Sequence, residues 1–224
     1  MQKKYDTVIF DLDGTLLDTL DDLTDSVNAV LARYQINSYS REQVRSFVGN
    51  GIRRLIQQAV PQGEDHPHFE QIYTEFRAYY GVHCMDKTRP YPGIQELLAE
   101  LAEEGYRLAI VSNKADFAVK KLRDYYFKDL IPVAIGEREQ VRRKPFPDTV
   151  YQALQELDAE KEGAVYVGDS EVDIQTAANA GLDAVIAAWG FRDRAYLLEA
   201  GAKPDQIADT VEEAGELLRK KSEE

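Results

Sequence analysis

The chain has 224 residues, 44% of them hydrophobic, and its 27 basic and 40 acidic residues give a net charge of −13. This length supports one large domain or two modest ones, and the negative charge argues against a nucleic-acid-binding surface. The single cysteine, Cys84, excludes an internal disulfide and is typical of a reducing compartment. Because no stretch approaches about 18 apolar residues and the N-terminus lacks a signal-peptide core, we expect a cytoplasmic protein without a membrane segment.

The first predicted strand is short and leads into a long helical interval. The strand covers residues 8–10. From residue 16 to about residue 80 no strand pattern is convincing, and the spacing of apolar residues predicts helices over residues 19–34, 41–48, 52–60 and 69–80. A stiff turn at residues 90–93, Pro-Tyr-Pro-Gly, follows this interval. An insertion beside the end of the first strand is well placed to act as a lid.

The rest of the chain alternates between helical and strand-like segments. Strands are predicted over residues 106–111, 133–135, 164–167 and 183–187, and helices over residues 94–104, 117–126, 148–157 and 174–180. A short charged helix is predicted from residue 212 onward. This alternation predicts a parallel sheet covered by helices on both faces.

Two aspartates directly follow the first strand. Residues i and i+2 of a strand point to the same face, so Asp11 and Asp13 project together while Leu12 turns into the core. The carboxyl ends of parallel strands are where open α/β sheets form their sites. Two carboxylates that close repel each other unless a cation lies between them or one holds a proton. An Asp-rich turn without chemistry is the structural alternative.

The same residues also resemble the opening of an EF-hand calcium loop. That loop needs oxygen ligands at positions 5 and 9 and a Glu at position 12. Counted from Asp11, these positions hold Thr15, Thr19 and Asp22. The preceding run is strand-like rather than helical, so the EF-hand interpretation fails.

Polar residues that suit an anion follow the second core strand and lie on a later loop. The hydroxyl of Ser112 and the amide of Asn113 can donate hydrogen bonds to a bound oxyanion, although a helix cap is the alternative. Lys144 precedes Pro145 on a loop that two prolines stiffen. A lysine fixed there suits a phosphate, and a solvent-exposed charge is the alternative.

Two further carboxylates follow the strand over residues 164–167. Asp169 stands at the strand end, and Asp173 lies four residues later, on the same face of a starting helix. Both carboxylates therefore reach the same point. A helix-capping role for Asp169 is the alternative.

These motifs, in this order, give the chain a clear resemblance to a known superfamily. They are Asp11-x-Asp13-Gly14-Thr15, Ser112, Lys144 and Gly168-Asp169-x3-Asp173. The chain resembles the haloacid dehalogenase-like superfamily and, within it, the phosphoglycolate phosphatase-like enzymes with a small helical cap. The resemblance covers essentially the whole length. It implies an α/β fold in which a Rossmann-like parallel sheet with helices on both faces, residues 1–15 and 86–224, carries an inserted all-helical cap domain, residues 16–85.

The resemblance also implies the central chemistry. Asp11 would attack phosphorus as the nucleophile, and Asp13 would act first as general acid and then as general base. Mg²⁺ is the expected cofactor, held by Asp11, the backbone carbonyl of Asp13, and Asp169.

Supporting roles follow from the same resemblance. Ser112, Asn113 and Lys144 would hold the phosphoryl oxygens together with nearby backbone N–H groups. Asp173 and Thr15 would support these groups without touching the substrate, Asp173 by orienting Lys144 or a metal-bound water.

One segment of the helical interval offers a candidate for substrate recognition. Residues 48–54, Val-Gly-Asn-Gly-Ile-Arg-Arg, form a Gly-x-Gly turn that leads into a helix. No strand precedes this turn and Arg54 occupies the third glycine position, so it is not a dinucleotide fingerprint. Caps of the phosphoglycolate phosphatase-like enzymes carry a similar segment, which implies that Asn50 and Arg53 meet a small anionic leaving group. A helix start with a solvated arginine face is the alternative.

Together these features predict a Mg²⁺-dependent phosphatase that hydrolyses a small phosphorylated metabolite through an aspartyl-phosphate, with phosphoglycolate the first candidate. A pyrophosphatase, a sugar-phosphate phosphatase and a phosphomutase are alternatives on the same scaffold. Related mutases usually carry an acidic residue where Gly168 stands, which favours hydrolysis. A phosphate-binding or phospho-regulated module is the non-enzyme alternative, against which the intact motifs argue. No nucleic acid or membrane is expected as a partner, and the protein is expected to be a monomer or homodimer.

Overall fold

The main sheet has its first strand at the centre. The computed structural model describes residues 3–221. Its strands are β1 Thr7–Phe10, β2 Leu17–Asp18, β3 Arg89–Pro90, β4 Arg107–Ala115, β5 Val133–Glu137, β6 Ala164–Gly168, β7 Asp183–Ala187 and β8 Ile207–Ala208. The six-stranded sheet has the order β5-β4-β1-β6-β7-β8, and every neighbouring pair is parallel. The carboxyl end of β1 therefore lies between those of β4 and β6.

Helices cover both faces of this sheet. The helices are α1 Leu20–Arg33, α2 Arg41–Phe47, α3 Gly51–Ala59, α4 Phe69–His83, α5 Ile94–Glu103, α6 Asp116–Tyr126, α7 Asp148–Glu156, α8 Glu171–Ala180, α9 Arg194–Glu199 and α10 Val211–Leu218. Side chains alternate along β1: Val8 and Phe10 pack with α5, α6 and α10, whereas Ile9 packs with α7 and α8. None of the helices within residues 3–221 is long and apolar enough to cross a membrane.

The first four helices form a hydrophobic cluster of their own. Leu23, Val27, Ile56 and Phe76 are among its buried side chains. Its two connections to the sheet run side by side, because β2 and β3 pair as an antiparallel ribbon. Leu16 and Leu17 pack into the main cluster instead, although the predicted cap interval, 16–85, includes them.

Short elements are where the prediction from sequence differs from the structure. The sequence does not predict β2, β3, β8 or α9, each of two to six residues. A two-residue strand is too short to show a periodic pattern, and it forms only because it pairs with a strand that is distant in sequence. The predicted strand over residues 106–111 continues to Ala115, although its pairing with β5 shifts register between Val111 and Ala115. Ser112, Asn113 and Lys114 lie in that irregular stretch.

Candidate active site

Asp11 occupies the first position beyond β1. Its backbone N–H donates to the carbonyl of Val167 on β6 at 2.8 Å, so the chain leaves the sheet only after Asp11. Leu12 is fully buried and anchors the turn. Gly14 then adopts a φ of +83°, and a Cβ there would lie 2.3 Å from Asp169 Oδ2. A glycine is needed here for both reasons, since other residues rarely adopt this φ and the close approach leaves no space.

Three buried carboxylates meet at this edge of the sheet. Oxygen atoms of Asp11, Asp169 and Asp173 all lie within 4.8 Å of one another. Asp169 accepts hydrogen bonds from the Thr15 hydroxyl at 3.1 Å and from the Phe191 backbone N–H at 2.7 Å. Thr15, which was expected only to support the site, thus contacts one of its buried carboxylates, Asp169.

Both oxygens of Asp173 are already fully engaged. Oδ1 accepts from the Lys144 ammonium at 2.8 Å and from the Tyr166 hydroxyl at 3.0 Å. Oδ2 accepts from the backbone N–H groups of Asp169 and Ser170 and from the Ser170 hydroxyl, at 3.2, 3.1 and 2.6 Å. A side chain with five donors and no exposure has no lone pair left for a cation. Asp173 thus contacts Lys144 directly, and of its two expected roles the orientation of Lys144 is the one that this contact favours.

Asp11 and Asp169 are the carboxylates that could hold a divalent cation. Burial raises the pKa of Asp11 to about 7; Lys144 opposes this shift, while Asp173 and Asp13 add to it. Burial, Asp173 and Asp11 likewise hold the pKa of Asp169 well above its usual value. Burial and the neighbouring negative charges disfavour the ionised form of each carboxylate. A bound cation would stabilise these ionised forms. Their hard oxygen ligands fit Mg²⁺.

Lys144 brings a buried positive charge to the same point. Its ammonium is 3.0 Å from Asp11 Oδ1 and 3.0 Å from the Tyr166 hydroxyl. Burial opposes this charge, but Asp11 and Asp173 outweigh burial and hold the pKa of Lys144 well above its usual value. The alternative interpretation of Lys144 as a solvent-exposed charge is therefore wrong.

Ser112 and Asn113 flank the site, but their side chains differ in what they can offer. Ser112 Oγ accepts from the Lys114 backbone N–H at 3.3 Å, which leaves its own proton free to donate. The Asn113 amide nitrogen already donates to the carbonyls of Lys144 and Gly49, at 3.1 and 3.3 Å. Its Oδ1 has no partner among the described residues. The expectation that the Asn113 side chain donates to an oxyanion is not supported by this arrangement.

Lys114 is a site residue that the sequence analysis missed. Its ammonium contacts both oxygens of Asp13, at 2.7 and 3.1 Å, and the Tyr80 hydroxyl at 2.5 Å. Burial opposes the charge, but Asp13 and Tyr80 raise the pKa of Lys114 above its usual value. A signal existed in the sequence, since Lys114 stands two residues after Ser112 and such residues share a strand face.

A small cavity of about 40 Å³ lies between the sheet edge and the helical cluster. On the sheet side it is lined by Asp11, Asp13, Ser112, Lys114 and Asp169, and on the helical side by Leu23, Val48, Gly49, Gly51, Ile52 and Leu55. The remaining lining residues include Phe191 and Arg192, from the segment after β7. This space is large enough for about three water molecules. In this arrangement the site takes only a small group.

Most of the chain, including the residues of this site, matches a known family. The family model described as haloacid dehalogenase-like hydrolase matches residues 8–187. The chain belongs to the haloacid dehalogenase-like hydrolase family. Its similarity to phosphatases of that family makes it an enzyme of the phosphatase type.

Relatives within the haloacid dehalogenase-like hydrolases carry two activity names. A phosphoglycolate phosphatase of Aquifex aeolicus (strain VF5) is 34% identical over 190 residues, which cover 82% of this chain and 85% of that protein. The pyrophosphatase PpaX of Bacillus thuringiensis (strain Al Hakam) is 34% identical over 214 residues, which cover 93% and 94%. The crystal structure of a predicted phosphoglycolate phosphatase from Lactobacillus delbrueckii subsp. bulgaricus matches with a TM-score of 0.91 and 34% identity, over 96% of this chain and 99% of that one.

The cap segment singled out from the sequence reaches this haloacid dehalogenase-like site only in part. Gly49 and Gly51 line the cavity, whereas Asn50 and Arg53 do not. Asn50 takes the N-cap position of α3. Arg53 pairs instead with Glu64 and Glu70, at 2.9 and 2.5 Å. The structure therefore does not bring Arg53 to the site; its contacts are with exposed acidic groups.

Replacing Arg53 with Ala is expected to leave kcat/KM for 2-phosphoglycolate within about twofold of the wild-type value, because exposed ion pairs contribute little. Steady-state phosphate release with this substrate and with ethyl phosphate measures the effect. A rise in KM of more than about tenfold, confined to the anionic substrate, would restore the original interpretation of Arg53.

Proposed function

We propose that this protein is a Mg²⁺-dependent phosphatase that hydrolyses a small phosphomonoester, such as 2-phosphoglycolate, through an aspartyl-phosphate on Asp11. The observation that carries the proposal is the Asp11 carboxylate, which lines a small cavity with Lys144 at 3.0 Å on one side and Asp13 two residues along the chain. We further propose that the protein works in the cytoplasm on a soluble metabolite.

Asp11 has one oxygen available for attack. Oδ1 accepts from the Leu12 backbone N–H at 2.7 Å and faces Lys144. Oδ2 has no hydrogen-bond donor among residues 3–221, and the residue lines the cavity. This arrangement fixes the carboxylate by one oxygen and directs the other to a phosphorus atom. A carboxylate nucleophile divides one difficult displacement into two easier ones.

The phosphoryl oxygens would meet donors already in place. The Lys144 ammonium, from the loop before α7, supplies a positive charge, and the Ser112 hydroxyl, from β4, supplies a proton to donate. Donors fixed before the reaction stabilise developing charge without reorganisation. Mg²⁺, held by Asp11 and Asp169 with the Asp13 carbonyl, would neutralise phosphoryl charge.

In this mechanism Asp13 carries out the two proton transfers. Its carboxylate lines the same cavity as Asp11 but contacts Lys114 rather than Lys144. It would protonate the departing alcohol oxygen and, in the second half of the reaction, remove a proton from the attacking water. The water's oxygen then bonds to phosphorus, the bond between phosphorus and the Asp11 carboxylate oxygen breaks, and inorganic phosphate leaves.

The cavity supports a small, anionic leaving group. Its free volume of about 40 Å³ is too small for a sugar unless the cap moves. Its cap side is apolar, and Arg192 supplies a positive charge in its lining, whereas the Lys114 ammonium is already engaged by Asp13 and Tyr80. A carboxylate or a second phosphate fits the Arg192 charge, which favours phosphoglycolate over a sugar phosphate.

Pyrophosphate is a second candidate substrate. Relatives named pyrophosphatase PpaX match 93% of the chain, against 82% for the Aquifex aeolicus phosphoglycolate phosphatase, at equal identity. The leaving group would then be orthophosphate, which is also small and anionic. A phosphomutase is disfavoured, because a Cβ at position 168 would lie 2.3 Å from the Asp173 side chain, so an acidic residue does not fit there.

Phosphate release from a panel of small compounds tests this proposal. The panel holds 2-phosphoglycolate, pyrophosphate, ethyl phosphate and a hexose phosphate, each measured with Mg²⁺ and with EDTA. We expect fast, EDTA-sensitive release from one of the first two compounds and slow release from the hexose phosphate. A preference for the hexose phosphate would contradict the size argument, and turnover that persists in EDTA would contradict the metal requirement.

A further inference from the structure

We infer that Lys114 is a positioning residue for Asp13: it fixes the carboxylate that handles the proton, and it acts on the substrate only through that carboxylate. The inference rests on the proposed function, in which Asp13 is the general acid and base. Lys114 stands two residues after Ser112 and is not one of the motif residues that carry the family resemblance.

Lys114 supplies the hydrogen bonds that orient Asp13. Its ammonium reaches Oδ1 at 2.7 Å and Oδ2 at 3.1 Å, across 101 residues of chain. Within residues 3–221 no other group donates to this carboxylate. The Asp13 side chain is 15% exposed, on the turn after β1, so without Lys114 no described donor would hold its orientation. The orientation of the general acid thus depends on one ammonium.

The ammonium is in turn fixed by an aromatic side chain from the helical cluster. Tyr80, on α4, accepts a hydrogen bond from Lys114, and the ammonium lies 4.7 Å from the centre of the Tyr80 ring. Tyr80 stacks on Phe76, with ring centres 5.6 Å apart and an angle of 7° between the planes. Lys114 and Tyr80 are both buried. A lysine held on two sides keeps one geometry, which a flexible surface lysine does not.

A purely structural ion pair is the competing explanation, and the chemistry of the leaving group separates the two. Ethyl phosphate releases an alkoxide unless a proton is supplied, whereas acetyl phosphate releases acetate, a stable anion. The two compounds have nearly the same size and the same phosphoryl group. A misplaced general acid therefore slows phosphoryl transfer from ethyl phosphate and leaves transfer from acetyl phosphate almost unchanged. A disturbed fold slows both alike.

The experiment measures kcat/KM for these two compounds with the wild type and with Lys114→Met. The variant keeps the length of the side chain and removes the charge. We expect kcat/KM to fall by about 10–10²-fold with ethyl phosphate, which is less than the full rate enhancement that general acid catalysis typically gives. With acetyl phosphate we expect a fall of less than about threefold. Lys121→Met is the matched control: Lys121 also joins the two parts of the molecule, donating to the Gly81 carbonyl on α4 at 2.9 Å, but lies outside the cavity lining. It should leave both values unchanged.

A double-mutant cycle with Asp13→Ala decides whether Lys114 acts through Asp13. In the Asp13→Ala background, Lys114→Met should lower kcat/KM for ethyl phosphate no further. A further loss equal to that in the wild-type background would show that Lys114 acts independently and would overturn the inference. Equal losses with the two substrates in the single variant would also overturn it.

Tyr80→Phe keeps the inference testable if Lys114→Met does not fold. It removes one hydroxyl that holds the ammonium and leaves the ring in place. We expect a smaller loss, about 2–5-fold, again confined to ethyl phosphate; no difference between the two substrates would count against the inference. A wild-type protein that releases no phosphate from any compound would overturn the proposed function itself, and the positioning role with it.

Discussion

The substitution Asp11→Asn is expected to abolish turnover. The amide is nearly the same size as the carboxylate but is not a nucleophile, so the covalent step cannot occur. Loss of the nucleophile in a serine hydrolase lowers kcat by about 10⁶-fold, and we expect a loss of that order with 2-phosphoglycolate or pyrophosphate. The measurement is phosphate release by the purified variant. A folded Asp11→Asn protein that retains a rate near that of the wild type would contradict the mechanism.

The same variant is expected to be at least as stable as the wild type in metal-free buffer. Burial raises the pKa of Asp11 from 3.8 to about 7, with Lys144 opposing and Asp173 and Asp13 adding to the shift. The folded state therefore binds this proton more tightly than the unfolded state, and the contribution of Asp11 to stability falls as the pH rises from about 4 to about 7. A neutral amide has no such penalty, which amounts to at most about 4 kcal/mol.

Denaturant unfolding in EDTA at pH 8 measures this difference. The Asp11→Asn midpoint should lie at or above that of the wild type, and the gap should narrow as the pH is lowered toward 4. The activity and stability results together distinguish a nucleophile from a structural residue, because loss of a structural residue lowers the midpoint. A variant that is both inactive and less stable at pH 8 would contradict the account of the buried carboxylates.

The core of the site was predictable because each of its residues is marked by a local sequence pattern. Asp11, Ser112 and Asp169 each follow an apolar run, and parallel strands bring such positions to one edge of the sheet whatever the details of packing. Lys144 was harder, because its loop follows no predicted strand directly. The two prolines that stiffen its loop identified it as a candidate, and the resemblance to a family motif agreed. The buried contacts with Asp11 and Asp173 explain in physical terms why a lysine stands there.

The cap side of the site was not predictable in the same way. Which face of a helix meets the sheet depends on how two hydrophobic clusters pack, and the apolar stripes of α1 and α3 do not encode that relation. Arg53 follows the Gly-x-Gly turn, yet it pairs with Glu64 and Glu70 on the surface. Tyr80, in contrast, looks like an ordinary core aromatic in the sequence, and only the folded chain brings it to Lys114.

The second large effect is expected from Asp13→Ala, and it should differ between the two halves of the reaction. Departure of an alcohol needs a proton, so kcat/KM for ethyl phosphate should fall by about 10²–10⁴-fold. Acetate needs none, so kcat/KM for acetyl phosphate should change little. Hydrolysis of the aspartyl-phosphate requires a base whichever compound formed it, so kcat should fall with both.

This difference predicts that the covalent intermediate accumulates. With acetyl phosphate, Asp13→Ala should form the aspartyl-phosphate at nearly the wild-type rate and hydrolyse it slowly, so most of the protein would carry phosphate in the steady state. Intact-protein mass spectrometry after rapid acid quenching measures that fraction, and the double variant Asp11→Asn, Asp13→Ala is the control that should carry none. A loss of less than about tenfold with ethyl phosphate would remove Asp13 from the role of general acid. Asp11 is the carboxylate that faces Lys144 and has an oxygen free for attack. The double variant lacks this carboxylate, so phosphate found on it would show that another residue is the nucleophile.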